Sequence, residues 1–124
     1  MEMLTGLDQE LWLAVSFGDL SKAKDTLKKG ADINAKNGDI LWTASSKGDL
    51  EMVKELIKKG ANVNINDSSA LKAAAFNGHI DVVKELLYAG ANPEAISSSD
   101  MAQLKTSYPA IWKLLDDASD ITFG

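Results

Sequence analysis

The sequence predicts an all-α, helix-turn-helix repeat solenoid, and three observations carry that reading. The first is self-similarity at a fixed spacing: Gly30-Ala31-Asp32-Ile33-Asn34 returns as Gly60-Ala61-Asn62-Val63-Asn64 and as Gly90-Ala91-Asn92-Pro93. Between residues 31–60 and 61–90, ten of thirty positions are identical, so the chain is a tandem array with a period of 30. The second is a helical stripe inside each unit, with Leu50, Val53, Leu56 and Ile57 answered by Ile80, Val83, Leu86 and Leu87. The third is the glycine at 30, 60 and 90, placed where the helical pattern ends and a left-handed residue is needed to stop it.

Each unit is read as two helices joined by a turn. The short first helix is placed at Leu11 to Phe17, Leu41 to Lys47 and Leu71 to Asn77. Small residues crowd it (Ala14, Ala44, Ala73, Ala74, Ala75), which lets neighbouring helices approach closely. The second is placed at Leu20 to Lys29, Leu50 to Lys59 and Ile80 to Ala89, with Leu20, Ala23 and Leu27 as its stripe in the first unit. Asp19 and Asp49 suit its N-terminus, and Lys28, Lys29, Lys58 and Lys59 its C-terminus, where each charge meets the favourable end of the helix dipole. A two-helix unit of this size has no core of its own, so stacking must supply one.

The single domain divides into an N-terminal capping unit at 1–30, repeats at 31–60 and 61–90, a C-terminal capping unit at 91–117 and a tail at 118–124. The first unit opens with Asp8-Gln9-Glu10 in place of Gly-Ala-Asp. The last starts a helix at Ser97-Ser98-Ser99-Asp100, runs Met101 to Ser107, passes Tyr108-Pro109 and continues from Ala110 to Asp116, leaving Ser119 to Gly124 as a frayed end.

Composition narrows the function classes. Apolar residues at 45% and charged residues at 25% are ordinary for a globular domain. No apolar run approaches the roughly 20 residues that cross a bilayer, so no membrane role is expected. Met1 to Gly6 has neither the basic residues nor the apolar core of a secretory leader. There is no cysteine, which excludes disulfides and thiolate chemistry and suits a reducing, cytoplasmic setting. A net charge of −5 with no arginine disfavours nucleic acid as a partner. No phosphate-cradling loop, Gly-x-Ser-x-Gly elbow or Walker-type lysine is present, so neither enzyme activity nor a cofactor is expected.

Gly60-Ala61-Asn62-Val63-Asn64, and Gly78-His79-Ile80 leading to Val83-Lys84-Glu85-Leu86-Leu87, resemble the signatures of the ankyrin-repeat family. Leu11 and Ala14, Leu41 and Ala44, and Leu71, Ala74 and Ala75 match the Leu and Ala positions of that family's first helix, so the resemblance spans about residues 8–117. It departs in two ways. The family's period is about 33 residues, and the shortfall lies between Asn34 and Leu41 and between Asn64 and Leu71, where the family extends a finger hairpin, so stunted fingers are implied. The Thr-Pro-Leu-His start of the first helix is also altered, with Asp39 and Ser69 left to cap it and Trp12, Trp42 and Lys72 in the histidine's place.

The resemblance implies reversible protein binding through a concave groove, with Trp12, Ser16, Phe17, Trp42, Ser46, Lys47, Lys72, Phe76 and Asn77 as the candidate contact residues. The two tryptophans admit two readings, a paired aromatic anchor for a partner or filling between repeats. Lys72 continues their row and is placed to stack on Trp42 as a cation–π pair. His79, with Asp81 and Glu85 near it, lacks a second His or Cys for a metal site and is read as structural. Asp116 and Asp117 point apart on a helix and read as solvated charge. Two alternatives stand beside partner binding: a homodimer through an exposed Trp and Phe stripe, and an engineered scaffold with no natural partner.

Overall fold

The computed structural model describes residues 6–121, and among these every regular element is helical. The units are α1 (Gly6–Ser16) with α2 (Leu20–Lys28), α3 (Ala35–Lys47) with α4 (Leu50–Lys58), and α5 (Ile65–Phe76) with α6 (Ile80–Tyr88). A single 3-10 turn (Pro93–Ala95) then leads to α7 (Ser98–Ser107) and α8 (Pro109–Ile121). First helices stack α1 on α3 on α5, and second helices stack α2 on α4 on α6, with α8 packed on α6 and the 3-10 turn lying against α5 and α8.

One core runs through the stack because the repeat places equivalent apolar residues in register. Leu11, Leu41 and Leu71 are buried at one position, and Ala23, Val53 and Val83 at another. Each buried Leu or Val contributes about 1.5–3 kcal/mol relative to exposure. Ala14, Ala44 and Ala74 lie between the first helices, where a larger side chain would hold them apart. In the first unit Thr26, and not the predicted Leu27, holds the fully buried place of Leu56 and Leu86, while Leu27 is half-buried. A buried hydroxyl is tolerated there because Thr26 Oγ1 donates to the carbonyls of Lys22 and Ala23 at 3.1 and 3.0 Å.

The predicted stops and caps of the second helix form. Gly30, Gly60 and Gly90 have φ of +104°, +101° and +101°. The amides of Ala31, Ala61 and Ala91 then reach back to the carbonyls of Thr26, Leu56 and Leu86, closing the same turn three times. Asp19 accepts from the Lys22 amide at 3.0 Å and Asp49 from the Met52 amide at 3.3 Å.

The first helices begin differently from the prediction. Lys36, Asn37 and Gly38 and, one repeat on, Asn66, Asp67 and Ser68 all have left-handed backbone, with φ between +55° and +83°. Right-handed helix resumes at Asp39 and Ser69, and neither side chain makes the capping bond expected of it. A single left-handed turn therefore stands in the place of the finger, in fewer residues.

A polar ladder ties the units together along this edge. Asp8 accepts from the Asp32 amide at 2.6 Å, Asn34 from the Asn62 amide at 2.9 Å, and Asn64 from the Asn92 amide at 3.0 Å. Asp32, Asn62 and Asn92 in turn accept from the amide two residues on, at 2.9–3.0 Å. The repeated Asp/Asn-x-Asn motif is thus a stacking device. At the other end α8 continues as helix through Ile121, so residues 118–121, predicted as tail, belong to that helix. Residues 122–124, and residues 1–5 of the Met1 to Gly6 segment read as lacking a leader pattern, lie outside the described residues.

Candidate functional site

The candidate contact residues all lie on or just after the first helices, and the structure sorts them by environment. Trp42, on α3, is 42% exposed. It borders a shallow pocket of about 220 Å³ whose other lining residues are Lys36, Asn37, Asp39, Asn66 and Ser69. Two left-handed turns frame this pocket, one from each internal repeat. Lys47, one turn past Trp42, is also exposed.

Trp12 differs from Trp42. It is half-buried and packed against the core, and its indole Nε1 is buried without a hydrogen-bond partner among the described residues. The same holds for the Ser16 hydroxyl one turn later. Phe76 is likewise half-buried against the core, whereas Phe17 is 83% exposed. The paired arrangement expected of Trp12 with Trp42 therefore divides into one packed ring and one open ring.

Lys72 does not stack on Trp42. Its ammonium lies 3.3 Å from the Asp67 carboxylate, which the left-handed turn brings to it. The cation–π contact that does form among the described residues is Lys105 over Trp112, 4.7 Å from the ring centroid. Ser46 and Asn77 face each other across a repeat junction, with Asn77 Nδ2 3.5 Å from Ser46 Oγ and 2.7 Å from the Ala73 carbonyl. His79 lies at the same junction, its Nε2 3.0 Å from the Ser46 carbonyl.

The pocket's Lys36, Asn37 and Asn66 were not among the sequence candidates, although the Asn, Asp, Gly and Ser runs at 37–39 and 66–69 are a turn signal. Leu13, 39% exposed beside Phe17, was also not among them. Away from this surface, the Asp25 carboxylate 3.1 Å from the Lys29 ammonium raises that ammonium's pKa, first by hydrogen bonding and then by charge. Among the described residues no three or more His, Cys, Asp or Glu side chains cluster to hold a metal ion, and no helix is long and apolar enough to cross a membrane.

The family description "ankyrin repeats" matches residues 11–97 in three copies. The chain belongs to the ankyrin-repeat family. The matched span starts at Leu11 in α1 and ends at Ser97, which caps α7 by accepting from the Asp100 amide at 3.1 Å. This ankyrin array thus carries α7 and α8 beyond its matched repeats, and no curated protein matches its sequence.

Proposed function

We propose that this ankyrin array binds a partner protein through the concave groove formed by its first helices, with Trp42 as the anchoring side chain. Ankyrin repeats are generally protein–protein interaction modules and typically not enzymes. The observation that carries the reading is Trp42 itself, a large aromatic 42% exposed at the edge of a pocket framed by two strained turns. Residues in left-handed conformation other than glycine cost free energy and cluster where function needs them. Exposed aromatics beside a preorganised surface are typical binding anchors.

Lys47, Ser46 and Asn77 extend this surface along the first helices. The acidic balance of the chain argues against nucleic acid, and the absence of cysteine suits the cytoplasm. Neither cofactor nor metal enters this reading. The test is affinity capture with the wild-type chain and with Trp42→Ala side by side. A protein retained by the former and lost by the latter supports the groove, and equal retention by both refutes Trp42 as anchor.

A further inference from the structure

We propose that Asn37 is a site of spontaneous deamidation, at which the backbone of Gly38 converts the side-chain amide into a carboxylate on the rim of the Trp42 pocket. Asparagine followed by glycine occurs twice in the chain, at Asn37-Gly38 and at Asn77-Gly78. The chemistry open to both is the same. The glycine nitrogen, having lost its proton, attacks the asparagine Cγ, and the Cγ–Nδ2 bond breaks as ammonia leaves with that proton. Water then opens the cyclic imide at either carbonyl, giving aspartate or, with the main chain rerouted through Cγ, isoaspartate. Glycine favours ring closure because it has no Cβ to obstruct the attack. With that pairing equal at both sites, the structure decides which one reacts.

At neither site is the closed conformation the reactive one. The ring forms only after ψ of the asparagine turns away from +39° at Asn37 or +5° at Asn77. Each rate therefore follows the population of a locally opened turn. At Asn77 opening breaks several contacts. Its Nδ2 donates to the Ala73 carbonyl at 2.7 Å and lies 3.5 Å from Ser46 Oγ, which fixes the reacting amide. The Gly78 amide donates to the Ala75 carbonyl at 3.2 Å, and the Tyr108 ring lies where a Gly78 Cβ would be. With φ at −101°, Asn77 has no left-handed strain to release.

At Asn37 opening costs less. The residue is exposed, and its side chain makes no hydrogen bond among the described residues. The Gly38 amide is held by a long contact, 3.4 Å to the Asn34 carbonyl. Gly38 does pack against Ile65, but Lys36 and Asn37 sit at φ +55° and +56°, and opening releases that strain. The product changes the pocket that Asn37 lines with Lys36 and Asp39. A carboxylate at position 37, ionised at neutral pH, joins that of Asp39 opposite the Lys36 cation. The isoaspartate form also adds the Cβ carbon to the main chain within the turn. The modification requires only the turn and does not depend on Trp42 anchoring a partner.

The test is peptide mapping by mass spectrometry of the full chain held in mildly alkaline buffer, where the attacking nitrogen loses its proton more readily. A urea-unfolded sample gives the intrinsic rate of each site, against which the folded chain is read. Folding should slow Asn77 about tenfold or more beyond its effect on Asn37, because opening limits the reaction. Asn37 should yield both aspartate and isoaspartate. Lys36→Gly, which relaxes the turn, should slow conversion at Asn37 and leave Asn77 unchanged. Three results would each overturn the proposal: folding that protects Asn37 as well as Asn77, an Asn37 that stays an amide after both sites have converted in urea, or a Lys36→Gly chain in which Asn37 converts no more slowly.

Discussion

His79 Nε2 lies 3.0 Å from the carbonyl oxygen of Ser46 in the preceding repeat, so the ring is held across the junction by a hydrogen bond. A carbonyl only accepts, which fixes the donating proton on Nε2. The ring also fills the space that a side chain on Gly48 would need. At the next junction Tyr108 fills the space beside Gly78 in the same way, and at the first Asp49 lies close to Gly18. The glycine before each second helix is therefore a seat for the following repeat.

The two glycine series should respond differently to substitution. Gly60→Ala meets open space and carries only the backbone strain of φ +101°, about 1 kcal/mol. Gly48→Ala carries similar strain and also drives a methyl into the His79 ring, which adds about 1–3 kcal/mol as overpacking does. Urea denaturation of both variants measures this, and Gly48→Ala should be the less stable. Equal losses would mean that the His79 ring moves aside without penalty.

The polar ladder should be uneven along the stack. Asn64 accepts from the Asn92 amide at 3.0 Å and from the buried Ser68 hydroxyl at 2.7 Å, and donates to the Gly90 carbonyl at 3.1 Å. Asn34 accepts from the Asn62 amide at 2.9 Å, and Gly38 stands where Ser68 stands one repeat later. Asn64→Ala leaves the buried Ser68 hydroxyl accepting from the Asn92 amide at 3.2 Å but with no acceptor for its own proton, and should cost about 1–3 kcal/mol, against about 0.5–1.5 kcal/mol for Asn34→Ala. Thermal melting of the two variants compares them.

The left-handed turns should yield stability when relaxed. Lys36 sits at φ +55° with an exposed side chain. Left-handed backbone costs a residue with a Cβ about 1–2 kcal/mol, part of which glycine recovers against its own unfolded-state entropy. Lys36→Gly should raise stability by about 0.5–1 kcal/mol, read as a higher urea midpoint with an unchanged slope. A loss of stability would show that the Lys36 side chain contributes packing that outweighs the strain.

How much of this was legible follows from what each signal reports. The stops at Gly30, Gly60 and Gly90 and the caps at Asp19 and Asp49 depend on local backbone chemistry, and local chemistry is written in adjacent residues. The left-handed turns were only half legible, because the Asn and Asp residues in them favour such backbone while Lys36 and Ser68 adopt a conformation that their own preferences oppose. Thr26 escaped the core list because polarity hides burial when a hydroxyl bonds its own helix. Lys72 was assigned to Trp42 by repeat position, yet Asp67 lies nearer once the turn is formed. Phe17 was grouped with Phe76 by its place before the mid-repeat glycine, yet it is 83% exposed whereas Phe76 packs half-buried against the core.

Trp42→Ala decides the central claim, that an open helix-borne aromatic and not the core carries binding. The measurement is the dissociation constant for a captured partner, made together with the melting temperature of the variant. The account predicts a dissociation constant about 30-fold higher, the loss of a hot spot worth about 2 kcal/mol, with the melting temperature almost unchanged because the ring is 42% exposed. A sharply lower melting temperature with unchanged affinity would contradict it, and would make Trp42 a packing residue like Trp12.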